Sequence, residues 1–163
     1  MDRLWSPWRN EYVAAGNSAD SVPRACIFCQ IQSDPGKDEQ NFVLHRARYN
    51  FVVLNIHPYI TGHLMIVPYE HIGELDASAK ETSDELMDLT KRSQNALRAA
   101  YQPAGFNIGM NLGCAAGAGI ADHIHVHIMP RWIGDTNFMT SVAATRVLPE
   151  ELSTTYRKLL GKF

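Results

Sequence analysis

The sequence predicts an α+β fold with a mainly antiparallel sheet, one long helix and a C-terminal helix, and three observations carry that prediction. Short apolar runs of strand length follow one another between residues 42 and 67. A single long stretch from Ser78 to Tyr101 then changes to helical periodicity. Two further alternating segments come after it, at 106–111 and 123–129. Strands joined by short turns, then a helix, then more strands, is the order expected of an antiparallel sheet covered by a helix.

Each element has its own local reason. Asp34-Pro35-Gly36-Lys37 supplies a proline and a glycine suited to turn dihedrals. Its Gly-Lys pair is not a P-loop, because neither a following Ser or Thr nor the earlier glycine is present. Phe42–His45 and Phe51–Asn55 read as strands around a short turn, and His63–Val67 as a third that Pro68 ends. In the helix, Leu86, Leu89, Ala96, Leu97 and Ala100 share one side. Glu81, Asp84, Glu85, Lys91, Arg92 and Arg98 are largely opposed to it, and these charges are assigned to solvent. Pro103-Ala104-Gly105 stops the helix. Phe106–Asn111 alternates again as a strand, and Pro149-Glu150-Glu151-Leu152 opens a closing helix with proline in its first turn and acids near the positive dipole end.

With 163 residues the chain is expected to form one domain, residues 26–163, large enough to bury a core without staples. Residues 1–25 read as an N-terminal arm: Trp5, Trp8 and Tyr12 could dock on the body or on a second subunit, and Gly16, Asn17, Ser18 and Pro23 equally suit a partly disordered leader. A net charge of −2 leaves no basic footprint for a polymeric nucleic acid. No stretch approaches the ~20 apolar residues of a membrane span, and the N-terminus lacks a signal-peptide run. Three cysteines, two of them spaced C-x-x-C, suit a reducing compartment, so the expected location is the cytoplasm.

The most informative stretch is His123-Ile124-His125-Val126-His127-Ile128-Met129. On a strand, alternate side chains point to opposite faces, so three imidazoles share one face and Ile124, Val126 and Ile128 share the other, which is the core. Neighbouring imidazoles are then ~6.5–7 Å apart at the backbone, able to converge on one substrate group or to divide between two sites. Three polar rings without a task would leave several donors and acceptors unmet, at roughly 1–3 kcal/mol each. Just before them, Leu112–Asp122 holds three glycines and nothing bulky until Ile120, so its backbone can approach a ligand and turn N–H groups toward phosphate oxygens.

His123-Ile-His125-Val-His127-Ile-Met129 resembles the signature of the histidine-triad (HIT) superfamily, nucleotidyl hydrolases and transferases. Residues Thr61–Pro68 and Pro130–Phe138 are most similar to the branch of Fhit-type hydrolases and bacterial diadenosine tetraphosphate phosphorylases. The resemblance implies a HIT-like fold, a homodimer, and a dinucleoside polyphosphate as substrate. It further implies that His125 attacks an α-phosphate to give a covalent nucleotidyl-imidazole, that His127 donates to a phosphate oxygen or the leaving group, and that His63 supports them from the site edge. Asn55 matches the Fhit-like asparagine that contacts ribose hydroxyls. Asn111 and the backbone of Gly117, Ala118, Gly119 and Ile120 would bind the phosphate.

Cys26 and Cys29 alone could be redox-active, metal-binding or incidental. With His71 and His123 they make a Cys2His2 set of the kind that closes around structural zinc, and the same four motif positions bind zinc in several bacterial HIT proteins. His123 then serves zinc, leaving His125 and His127 for substrate. The unpaired Cys114 is expected as a small apolar filler. The chain departs from the family where many members carry Ser or Thr before the triad: Gly117-Ala118-Gly119-Ile120 offers only backbone donors. That leaves hydrolysis and phosphorolysis both open. Other readings are a Hint-like nucleoside phosphoramidase, a non-catalytic nucleotide sensor, and a catalytic metal site on the three histidines.

Overall fold

The chain was analysed as a computed structural model describing residues 25–135 and 150–163, so the N-terminal arm with Trp5, Trp8 and Tyr12, and Pro149, lie outside the described residues. A short helix α1 (Ile27–Ser33) precedes β1 (Val43–Arg46), β2 (Asn50–Leu54) and β3 (Leu64–Pro68). The long helix α2 (Lys80–Tyr101) leads to β4 (Gly105–Gly109), then β5 (Val126–Arg131) and a closing helix α3 (Leu152–Leu159). The strands form one sheet in the order β1-β2-β3-β5-β4, with every pair antiparallel. The α+β expectation holds.

Period-two alternation gives each face of this sheet its own apolar set. Val52, Leu54, Leu64, Ile66, Val126 and Ile128 meet Leu86, Leu89, Ala96 and Leu97 of α2 and Tyr156 and Leu159 of α3. On the opposite face Val43, Phe51, Val53, Met65 and Val67 gather around Phe28 of α1. The face that carries the histidines is therefore itself half a core, where the sequence suggested chemistry alone. α1 was not foreseen, because seven residues offer too few turns for periodicity to show.

Two expectations about elements are corrected. Regular pairing in the histidine stretch begins only at Val126, so His123 and His125 lie on the approach to β5 rather than on it. His123 is instead held by a different partner: the Ile124 N–H donates to the Ile72 carbonyl at 2.7 Å. The charges of α2 do not all face solvent either. The Glu85 carboxylate accepts from the Arg48 N–H at 3.1 Å, the Tyr49 N–H at 2.8 Å and the Asn50 amide at 2.8 Å. It thus satisfies the β1–β2 turn, whose donors would otherwise have no partner there.

Candidate active site and metal centre

Two close approaches of backbone bring the site together. Gly62 has φ +80, and a Cβ there would sit 3.1 Å from Leu97 and 3.2 Å from Pro130, so only glycine turns the chain into β3 at the point that delivers His63. Gly73 passes Ala121, whose carbonyl oxygen would be 3.0 Å from an added Cβ, and this contact lets the His71 segment lie against the His123 segment.

At the α1 end, Cys26, Cys29, His71 and His123 present ligand atoms all within 4.8 Å of one another. The Cys26 Sγ is 3.3 Å from His123 Nδ1, Cys29 Sγ is 3.2 Å from His71 Nδ1, and Cys29 Sγ is 3.7 Å from His123 Nδ1. Zinc–sulfur and zinc–nitrogen bonds of ~2.3 and ~2.0 Å require tetrahedral edges of roughly 3.3–3.8 Å, which these separations match. The tautomer fits as well. His123 Nε2 is 2.9 Å from the Pro68 carbonyl, an acceptor only, so Nε2 carries the proton and Nδ1 keeps its lone pair for an ion. Burial, then the neighbouring Cys26, pushes the Cys29 thiol up; a bound dication would reverse that.

The other two histidines are fixed by the same logic to opposite ends. His125 Nδ1 donates to the His123 carbonyl at 3.0 Å, so a neutral ring presents Nε2 as a bare lone pair. His63 Nδ1 accepts from the Tyr59 N–H at 3.1 Å, which places the His63 proton on Nε2. That N–H donates to His127 Nδ1 at 2.9 Å, so neutral His127 carries its proton on Nε2 as a donor. Burial holds His125 below the ordinary imidazole range and takes His127 down to about 4, helped by the adjacent His125. The two rings lie 4.7 Å apart, nearly perpendicular. A bare nitrogen beside an N–H donor can attack an electrophile and serve the group it expels.

His63 is more deeply placed than a site edge, at 1 % exposure, and its ring bonds to His127. Asn55 joins the same chain: its amide nitrogen lies 3.4 Å from His63 Nδ1, and its carbonyl accepts from the His57 N–H at 2.9 Å. Asn111 lines a cleft of about 190 Å³ beside His127, with Tyr59, Asn107, Ile108, Gly109, Met110 and Met129. In the glycine-rich loop, the Gly117 and Ala118 N–H groups bond to Cys114 and Gly113 carbonyls within the loop, while no backbone carbonyl among the described residues takes up those of Gly119 and Ile120. The Ile120 side chain packs on the Phe28 cluster. Cys114 is exposed, which corrects its reading as a filler, because it opens a single helical turn at the loop surface.

Sequence reasoning missed Phe28 and Tyr59. The Phe28 ring sits 5.4 Å from His123 and 5.1 Å from His125, and the Tyr59 ring 4.8 Å from His63. Phe28 lay within the C-x-x-C, which drew attention to its sulfurs; Tyr59 lies in a turn with no pattern to mark it.

The sequence profile of the HIT domain matches residues 37–132. The chain belongs to the HIT family. It is 39 % identical over 163 residues to an AP-4-A phosphorylase of Mycobacterium tuberculosis, covering 98 % of this chain and 83 % of the relative. An adenosine 5′-monophosphoramidase of Saccharomyces cerevisiae is 27 % identical, covering 87 % of this chain and 85 % of that one. Among solved structures, a Zn-bound histidine triad family protein from Mycobacterium smegmatis superposes with a TM-score of 0.68 at 28 % identity, over 85 % of this chain and 92 % of that one. This HIT protein has no helix among its described residues long and apolar enough to cross a membrane.

Proposed function

We propose that the protein cleaves adenine dinucleoside polyphosphates, such as diadenosine tetraphosphate, at the α-phosphate through a nucleotidyl group carried on His125. The observation that carries this reading is the complementary pair of fixed tautomers, a bare nitrogen on His125 and an N–H on His127. The His125 Nε2 lone pair forms the P–N bond as the P–O bond to the leaving group breaks; the polyphosphate departs as its anion, its oxygen accepting a hydrogen bond from the His127 Nε2–H. A second acceptor then attacks phosphorus and the P–N bond breaks to return neutral His125: inorganic phosphate attacks through an anionic oxygen, whereas water gives up one proton to solvent. Asn111 and the N–H groups of Gly119 and Ile120 are the donors for charge on the phosphate oxygens. The relative named a phosphorylase favours phosphate as the acceptor.

Cys26, Cys29, His71 and His123 would hold zinc, supported by the edge lengths above and by the Zn-bound neighbour. Such an ion, with four protein ligands and no open position, supplies structure and not chemistry. The reading also includes a single domain over residues 26–163, a homodimer and a cytoplasmic location. The edge strand β4 with its half-exposed Ile108 is a surface that a second copy would cover, and a reducing compartment keeps the cysteine pair as thiols.

Product analysis with diadenosine tetraphosphate tests the activity. ADP plus ATP formed only when inorganic phosphate is present means phosphorolysis; AMP plus ATP without it means hydrolysis. Absence of turnover under both conditions rejects the proposal.

A further inference from the structure

A row of three side chains ends at His127, and the number of protons it carries decides which leaving groups it can serve. Asn55 stands just past β2, and its backbone N–H donates to the His63 carbonyl at 3.0 Å, so the two residues face each other across the β2–β3 connection. The Asn55 side-chain carbonyl is held by the His57 N–H at 2.9 Å, which turns the amide NH2 toward His63, its nitrogen 3.4 Å from Nδ1. The Tyr59 N–H reaches the same Nδ1 at 3.1 Å. Two donors converge on that atom, so Nδ1 is an acceptor and His63 holds a single proton, on Nε2. That N–H points to His127 Nδ1 at 2.9 Å, and His127, whose hold on a second proton burial takes down to about 4, keeps one on Nε2.

Each ring therefore carries one proton, and none is in excess. A polyphosphate departs as an anion and asks only for the hydrogen bond from His127 Nε2–H. An amine expelled from a phosphoramidate differs, because its nitrogen leaves only as it gains a whole proton. If His127 Nε2 gave that proton and Nδ1 recovered the one on His63 Nε2, His63 would be left an imidazolate. Behind it stand a side-chain amide and a peptide N–H, neither of which releases a proton near neutral pH.

We propose that the Asn55–His63–His127 row is a leaving-group filter, favouring phosphoanhydrides over phosphoramidates, with Asn55 as the positioning residue that sets its proton count. The inference rests on the proposed reaction. A carboxylate in place of the Asn55 amide would accept from His63 Nδ1 and hold that ring as an imidazolium, since an opposite charge within ~4–6 Å favours the charged form. The added proton then has a path. His127 Nε2 protonates the amine nitrogen as its bond to phosphorus breaks, His127 Nδ1 takes the His63 Nε2 proton, and His63 returns to neutral with its Nδ1–H on the carboxylate.

The test has two arms. In the wild-type protein near neutral pH, nitrogen-15 NMR of the imidazoles should show His63 and His127 each protonated on Nε2 alone; a proton on His63 Nδ1 overturns the filter. In Asn55→Asp protein, kcat/KM for adenosine 5′-phosphoramidate divided by kcat/KM for diadenosine tetraphosphate should rise at least ~10-fold over wild type, a modest share of what a general acid contributes. A ratio within twofold of wild type overturns the filter, and an equal rise of KM for both substrates would make Asn55 a binding contact instead. Should the variant fail to fold, the wild-type spectra still decide the proton count. A wild-type protein that cleaves neither substrate rejects the proposed reaction, and the same spectra then judge the row by itself.

Discussion

His123 and His127 stand four residues apart in one short segment, yet they face different tasks. The His123 end is closed: its ring is fully buried, meets Cys26, Cys29 and His71, and lies against Phe28. The His127 end opens to the cleft and is buttressed by His63 and Tyr59. What separates them is the partner of the second ring nitrogen. The Pro68 carbonyl fixes His123 as a lone-pair ligand, and the His63 N–H fixes His127 as a donor. Spacing along the chain brings imidazoles together, and the neighbouring acceptors and donors assign their roles.

Mutations that fall between, on, or outside these two ends should give separable signatures. The largest effect belongs to the ring between them. His125→Asn should lower turnover by at least ~10³-fold while AMP binding stays near wild type, and substantial remaining turnover would refute its role as nucleophile. Next is the closed end. Cys26→Ser with Cys29→Ser, or exhaustive chelation, should lower Tm by roughly 10 °C, the shift that about 3–5 kcal/mol produces in a chain of this size. Finding no zinc by elemental analysis of protein purified without chelators would reject that end as a zinc centre.

At the open end, His63→Ala should reduce kcat roughly 10–100-fold with little change in KM, since it frees His127 to adopt either tautomer. A loss confined to KM would place His63 in substrate binding instead. Acidity acts on the same ring. The unfolded chain's imidazole binds its proton near the ordinary value of 6.5, and folded His127 only near 4, so between those values the unfolded state holds more protons. Stability should therefore be full above pH 6.5, decline as pH falls toward 4, and level off below. Urea midpoints that rise on acidification would contradict the burial of neutral imidazoles.

The smallest expected effect lies outside both ends. Glu85→Ala strips three hydrogen bonds from the β1–β2 turn and should cost about 2 kcal/mol, or roughly 4–8 °C in Tm, with kcat per folded molecule unchanged. A change in kcat would show that the turn is coupled to the histidines.

The histidine repeat, the strands and α2 were legible because side-chain periodicity reports directly on which face is buried. The Cys2His2 set was legible only through resemblance, since its members come from α1, the segment after β3 and the approach to β5, and nothing in the sequence states that these meet. Glu85 was misread because a carboxylate opposite an apolar stripe looks the same whether it faces water or the amides of a turn. Tyr59 was missed for another reason: it sits in a turn, where no repeat constrains the side chain. The start of β5 was misplaced because alternation continues through His123 and His125 even though their pairing does not.

The group that orients His125 is the carbonyl of His123, and a carbonyl is common to all residue types. No substitution at position 123 can delete that acceptor, although many would delete the ligand. A lineage could shed its cysteines and replace His123 while the attacking ring stayed aimed, provided other packing kept that stretch of main chain in place. Tolerance of this kind would let the metal cluster come and go during divergence without each loss extinguishing the enzyme.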